Sequence, residues 1–349
     1  MIKKLNYFLL LFSVLTSCEK TNENLKNIDE TTYLNSYKRC GHQENIDKNI
    51  ENTTEYNNHL NKIKALEKQT KNLTSNFEKK NKTNLPIIKV PIIFHIVRSG
   101  KMPLISKALI RSQIDALNAA YNPEKLNKSN IPLFFKDLMA NPRIEFFTDR
   151  VIYKESDVTE WYKIDEFIKN SKKGGSDIID PKKYLNVYVC NTIYGSNTNN
   201  PILGYAWSPY KTRSSNDGVV VSYRAFGRHN LNNEYNQGKT LVHEIGHYLN
   251  LSHIWGPTNK KGATYCRLGD RVKDTPNAAS PNFGCPTYPV VKDIICRTGN
   301  IEEKSKTNEM FMNYMDYVDD SCMHMFTFGQ VARMRATFMP GGGRDRLIK

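Results

Sequence analysis

The sequence predicts an α+β domain, from three observations. Five short β-branched or aromatic runs lie between residues 87 and 223, one helical stretch interrupts them, and histidines at helical spacing precede a Gly- and Pro-rich tail holding four cysteines. Ile87 to Val97 is apolar and β-branched, as a buried strand requires. Ser106 caps a helix whose residues Ile110, Ile114, Leu117 and Tyr121 share one face, and Pro123 stops it. Ile144 to Tyr153, Tyr184 to Cys190, Leu203 to Trp207 and Gly218 to Tyr223 complete the strands.

The flanks have a different character. Residues 1–17 carry Lys3 and Lys4, an apolar run from Leu5 to Leu15, and small residues before Cys18. That order is an export signal, too short to span a bilayer, and Cys18 stands where a bacterial lipoprotein receives its lipid. An ordinary signal peptide with a chance cysteine is the alternative. Residues 18–84 are rich in Asn, Lys, Glu and Thr, which build no core, and are expected to form a pro-segment, weakly helical from His59 to Lys71. The +15 charge is spread along the chain among Asp and Glu, without the aromatic interleaving of a nucleic-acid groove, so no nucleic-acid partner is expected. A membrane is expected as a partner only through a lipid on Cys18.

Chemistry concentrates in His243-Glu244-Ile245-Gly246-His247 and, six residues on, His253. Two histidines four apart share a helix face and reach one ion, while Glu244, offset by one, stands beside it as a general base for water. His253 becomes a third ligand if the chain turns sharply at position 250, where a left-handed residue is needed and Asn250 is present. Three neutral nitrogens leave one tetrahedral position of a zinc ion open, as catalysis demands. A surface lipoprotein with structural zinc and a binding cleft is the second class. It requires a closed zinc shell and has no need of Glu244.

These motifs, with Leu203-Gly204-Tyr205-Ala206, Asp217-Gly218-Val219-Val220, Ile254-Trp255-Gly256, Asp274-Thr275-Pro276-Asn277 and Asn313-Tyr314-Met315-Asp316-Tyr317, resemble the pappalysin family of metzincin zinc metallopeptidases from about Leu85 to Phe338. The resemblance implies a twisted mixed sheet and two long helices (residues 85–253) above an irregular, disulfide-bonded C-terminal subdomain (residues 254–349). It also implies hydrolysis of protein and peptide substrates, with Met315 cushioning the zinc ligands and Tyr317 stabilising the oxyanion. Asn250 departs from the glycine usual in metzincins, a substitution that the left-handed tolerance of Asn accommodates.

Further expectations follow from the resemblance. The disulfides would pair Cys266 with Cys296 and Cys285 with Cys322, whereas spacing alone allows three pairings. Structural calcium would sit near Asp270 and Thr275, oxygen donors that in loops are otherwise solvated. Cleavage before Lys or Arg would use Asp319 and Asp320, unless these are plain surface carboxylates. Cys190 reads as a buried thiol. Cys40, in Arg39-Cys40-Gly41, reads as a thiolate that fills the open zinc position and keeps the precursor latent, or as an ordinary thiol in a disordered segment. The extended substrate is expected along the strand holding Val219 to Val221. The protein is expected in the outer membrane as a lipoprotein, or secreted once the pro-segment is removed.

Overall fold

The computed structural model describes residues 38–41, 54–79, 85–195, 200–209, 214–229, 233–256, 269–298 and 301–348. The export signal and Cys18 lie outside them, as do Cys266 and the side chain of Cys296, and with them the first expected disulfide. No helix among the described residues is long and apolar enough to cross a membrane.

The centre of the upper part is a mixed five-stranded sheet. Its strands are β1 (Ile88–Arg98), β2 (Ile144–Glu155), β3 (Leu185–Cys190), β4 (Gly204–Ala206) and β5 (Val219–Ser222), in the order β2-β1-β3-β5-β4. All neighbours are parallel except β4, which runs antiparallel to β5. A parallel strand is covered on both faces, which is why β1 is a continuous apolar run and why eight of its residues in succession are buried. Its one polar interior residue, His95, is held between Ser176 Oγ at 2.8 Å and Asn186 Oδ1 at 2.9 Å, and burial lowers its pKa to about 4.

Among the described residues, four α-helices accompany this sheet: α1 (Thr54–Lys79), α2 (Lys107–Tyr121), α3 (Lys239–Tyr248) and α4 (Phe328–Ala336). Ser106 accepts from Leu109 N and caps α2, whose apolar face buries Ile110, Leu117 and Tyr121 in the main core. At 15 and 10 residues, α2 and α3 are the two helices of the upper part. Tyr121 donates to Val242 O at 2.8 Å, so α2 fixes α3 directly.

Helix α1 is a larger element than composition predicted. Of its 26 residues, most of those with a described side chain are exposed, but Leu66 is buried and Leu73 half-buried against the main core. Glu67 pairs with Arg271 at 3.3 Å, and Gln69 donates to Pro340 O at 3.0 Å. The sparse apolar content that suggested disorder is enough for docking, because α4 supplies the other half of the contact.

Among its described residues the C-terminal part is irregular, apart from α4, the hairpin Val291–Thr298/Ile301–Asn308 and the short strand Phe326–Thr327 that pairs with Met139–Ala140. Cys285 and Cys322 form a disulfide there, which closes a loop of 37 residues around the Met315 turn. Thr327 and Gln330 make a reciprocal capping box at the start of α4.

Candidate active site

Helix α3 carries the histidines into a fully buried setting: His243, Glu244 and His247 are all inaccessible to solvent. Beyond its C-cap Leu249, Asn250 adopts a left-handed φ of 73°. Leu251 N then donates to Gly246 O at 2.8 Å and Asn250 N to His247 O at 3.0 Å, so the helix ends in a Schellman turn. This reversal brings His253 back beneath His247, where its ring stacks on Trp255 at 4.5 Å.

The three imidazoles meet tip to tip. His247 Nε2 lies 3.1 Å from both His243 Nε2 and His253 Nε2, and these ligand atoms, with the sulfur of Cys40, fall within 4.8 Å of one another. Nitrogens bound to one tetrahedral zinc at about 2.0–2.1 Å stand roughly 3.3 Å apart, so the spacing suits the ion. The tautomers suit it also. His243 Nδ1 is 2.7 Å from Tyr314 O and His247 Nδ1 is 2.8 Å from Leu251 O, so both donate outward and direct Nε2 lone pairs at the common point. Burial lowers the pKa of both rings, that of His247 to about 3, and keeps them neutral. Converging lone pairs repel unless a cation lies between them, and the donor set therefore fits zinc.

Glu244 stands beside this point. Burial pushes its carboxyl up to about 8, against the opposing influence of the Cys40 thiol and the cations of Lys163 and Arg39. Gly204 of β4 makes room for it, since a Cβ there would meet Glu244 Cγ at 2.9 Å. Below α3, Met315 is fully buried against Gly246, where a Cβ would meet its sulfur at 2.4 Å. Asn313 Oδ1 accepts from Met315 N at 2.9 Å and shapes this turn, which also supplies the Tyr314 carbonyl that orients His243. Tyr317 donates to Cys40 O at 3.4 Å, and burial raises its pKa well above the usual value.

Residues 38–41 occupy the cleft as an added strand. Lys38 N donates to Pro201 O at 2.8 Å, Leu203 N to Lys38 O at 2.9 Å, and Gly41 N to Gly204 O at 2.8 Å. The segment runs parallel to this rim. The rim corrects the expected one: Val219 to Val221 lie inside the sheet, paired with β3 on one side and β4 on the other, and offer no open edge.

Asp320, expected either to receive a basic side chain or to be a surface carboxylate, is fully buried where Arg39 enters. Its Oδ1 pairs with Arg39 at 2.7 Å, while Oδ2 accepts from Gln237 N at 2.9 Å and Lys239 N at 3.1 Å at the start of α3. Arg39 also donates to Val318 O at 2.5 Å and lies over the Tyr235 ring at 4.9 Å. Asp319 does not join the pocket floor and lies against the disulfide, 3.9 Å from Cys285 Sγ. Sequence reasoning missed Arg39 and Lys163. An arginine beside a candidate thiol ligand, with two carboxylates downstream, was a signal for the first, whereas nothing local marked the second.

Asp270 and Thr275 meet, the threonine hydroxyl donating to Asp270 Oδ1 at 2.6 Å. Asp270 Oδ2 is buried with no hydrogen-bond partner among the described residues, and burial pushes the carboxyl up to about 7. Cys190 is a buried thiol whose pKa burial raises.

Comparisons with known proteins agree with this geometry. The family model described as Pregnancy-associated plasma protein-A (peptidase M43) matches residues 169–339. An extracellular metalloprotease of Arthroderma gypseum is 29% identical over 252 residues, which is 71% of either chain. Tannerella forsythia mature mirolysin in complex with a cleaved peptide is 34% identical with a TM-score of 0.66, over 76% of this chain and 97% of that one. A mutant of Tannerella forsythia promirolysin reaches a TM-score of 0.70 at 31% identity, over 89% of this chain and 97% of its own. On this likeness in sequence and fold, with a histidine cluster suited to the metal, the chain belongs to the pappalysin (M43) family of zinc metalloproteases.

Proposed function

We propose that the chain is an exported zinc endopeptidase, made as a latent precursor, that hydrolyses peptide bonds before Lys or Arg. The observation that carries this reading is the convergence of His243, His247, His253 and Cys40 on one point, with Glu244 beside it. Zinc held by His243, His247 and His253 would supply a Lewis acid for a peptide carbonyl and for a water molecule. Glu244 takes the proton from that water and delivers it to the leaving amine. Burial beside the histidines strengthens the hold of this carboxylate on a proton. Tyr317 stays protonated and donates to the developing oxyanion, as it donates to Cys40 O in the resting chain. Met315 fills the space under the helical histidines.

Cys40 supplies the fourth ligand and excludes water, so residues 18–84 act as the pro-segment of a catalytic unit made of residues 85–253 and 254–349. Arg39 fills the Asp320 pocket as a substrate's basic side chain would, on a segment that runs in the opposite chain direction to a substrate cut before that residue, since Arg39 precedes Cys40, and the basic specificity rests on that pair. Asp319 then shapes the wall. The likeness to promirolysin and the extracellular naming of relatives support latency and export. With a lipid on Cys18, one cut before Leu85 would remove inhibitor and anchor together, and a trimmed, active enzyme still acylated would refute that. Calcium at Asp270 and Thr275 is supported by the unpartnered Asp270 oxygen. A chelator that spares zinc should lower the melting temperature by several degrees, and no shift would remove the site.

Glu244→Ala in the trimmed chain should reduce peptide hydrolysis by about 10²–10⁴-fold or more with stoichiometric zinc retained. Persistent turnover would overturn the mechanism. Cleavage sites mapped in a denatured protein mixture should be followed by Lys or Arg, and an unbiased set would remove the specificity. The second reading, a binding lipoprotein with structural zinc, draws on the closed three-histidine, one-cysteine set of the untrimmed chain. Zymography of the trimmed chain, with and without chelator, separates the two.

A further inference from the structure

A cation that the proposed mechanism leaves unused reaches into the cleft. Lys163 follows the strand Glu160–Tyr162, and its amide donates to Tyr194 O at 3.0 Å, which fixes its backbone at the edge of a small sheet completed by Thr192–Tyr194 and Pro201–Ile202. Its side chain turns inward. Nζ donates to Gly41 O and stands 5.7 Å from the centre of the Tyr205 ring.

The footholds of residues 38–41 give Lys163 a place along the cleft. Arg39 enters the Asp320 pocket, Cys40 lies among the histidines with its carbonyl on Tyr317, and Gly41 is held at N by Gly204 and at O by Lys163. Arg39 and Gly41 flank Cys40, so Asp320 and Lys163 stand on opposite sides of the metal-binding group. Gly41 has no side chain, and what Lys163 grasps is a feature every peptide possesses.

We propose that Lys163 is a substrate-binding residue whose ammonium holds a main-chain carbonyl of the peptide, on the side of the scissile bond opposite the residue that enters the Asp320 pocket. This rests on the peptidase reading and extends it with a contact outside the family's motifs. An ammonium offers three donors on a flexible stem, so it follows a carbonyl without specifying a side chain. The bond is charge-assisted and is made equally before and during reaction, and it therefore acts on KM and not on kcat. In the untrimmed chain the same bond holds Gly41 and keeps Cys40 seated.

The test uses Lys163→Met and Lys163→Arg in the full-length chain, with two readouts. In the Glu244→Ala background, which keeps the chain whole, native alkylation of Cys40 followed by peptide mass spectrometry should be roughly tenfold faster for Lys163→Met and within about twofold of the parent for Lys163→Arg. After self-trimming of chains with Glu244 intact, Lys163→Met should raise KM for a peptide substrate about tenfold with kcat within about twofold, and Lys163→Arg should restore KM. Unchanged Cys40 labelling, or a fall in kcat at constant KM, overturns the proposal. A wild-type chain with no turnover at all overturns the peptidase reading instead, and the labelling readout still decides whether Lys163 holds the segment.

Discussion

The N-terminal segment meets the rest of the chain at two places of different kind. Residues 38–41 insert into the cleft with directional contacts: a buried ion pair, a sulfur among three imidazoles, and main-chain bonds to the rim. Helix α1 lies on the C-terminal part, presents mostly exposed polar residues, and holds on through Leu66, Leu73 and a few polar bonds. The first footprint imitates a ligand, and its energy depends on geometry. The second is a small apolar seam whose energy scales with area.

Three substitutions test whether these footprints are separable. Arg39→Ala should act most strongly. It leaves Asp320 buried without its ion-pair partner, a change of about 3–5 kcal/mol, and Cys40 alkylation in the full-length chain should rise on the order of 10²–10³-fold. Amide exchange in α1 should not change, and a parallel rise there would join the two footprints into one unit.

Leu66→Ala should come next. Truncating a side chain this buried costs about 2–4 kcal/mol, so α1 amides should exchange at least about tenfold faster while Cys40 labelling moves less than about threefold. Equal acceleration of both would show that the latch depends on the seam. Glu67→Gln should matter least. Its partner Arg271 is well exposed, and such a pair contributes about 0.2–1 kcal/mol, less still at high salt. A larger loss of α1 protection would mean that charge, and not apolar area, carries the seam.

The same contrast explains how much was legible in the sequence. Strands such as β1 and the capped helix α2 could be read because period and punctuation are local properties. The turn at Asn250 could be read because one residue type answers one backbone need. The zinc-ligand candidates on α3 and at His253 came from spacing along the chain. Composition understated α1, since half of its stabilising surface belongs to α4, more than two hundred residues downstream. The sequence also pointed to Val219–Val221 as the open strand, because apolar content marks a strand without saying which neighbours flank it. Asp320 looked like one of two equivalent carboxylates. Only the fold sends it inward to Arg39 and leaves Asp319 beside the disulfide.

The divided carboxylate of Asp320 has a consequence for how this scaffold changes over evolution or in the laboratory. One oxygen pairs with Arg39, and the other anchors amides at the start of the helix that bears the histidines. Under the proposed basic specificity, recognition and metal geometry hang on a single anion, and an attempt to retune the pocket at its floor also loosens the helix that carries the histidines. The side wall Tyr235 is under no such double duty, and new preferences would arise there first.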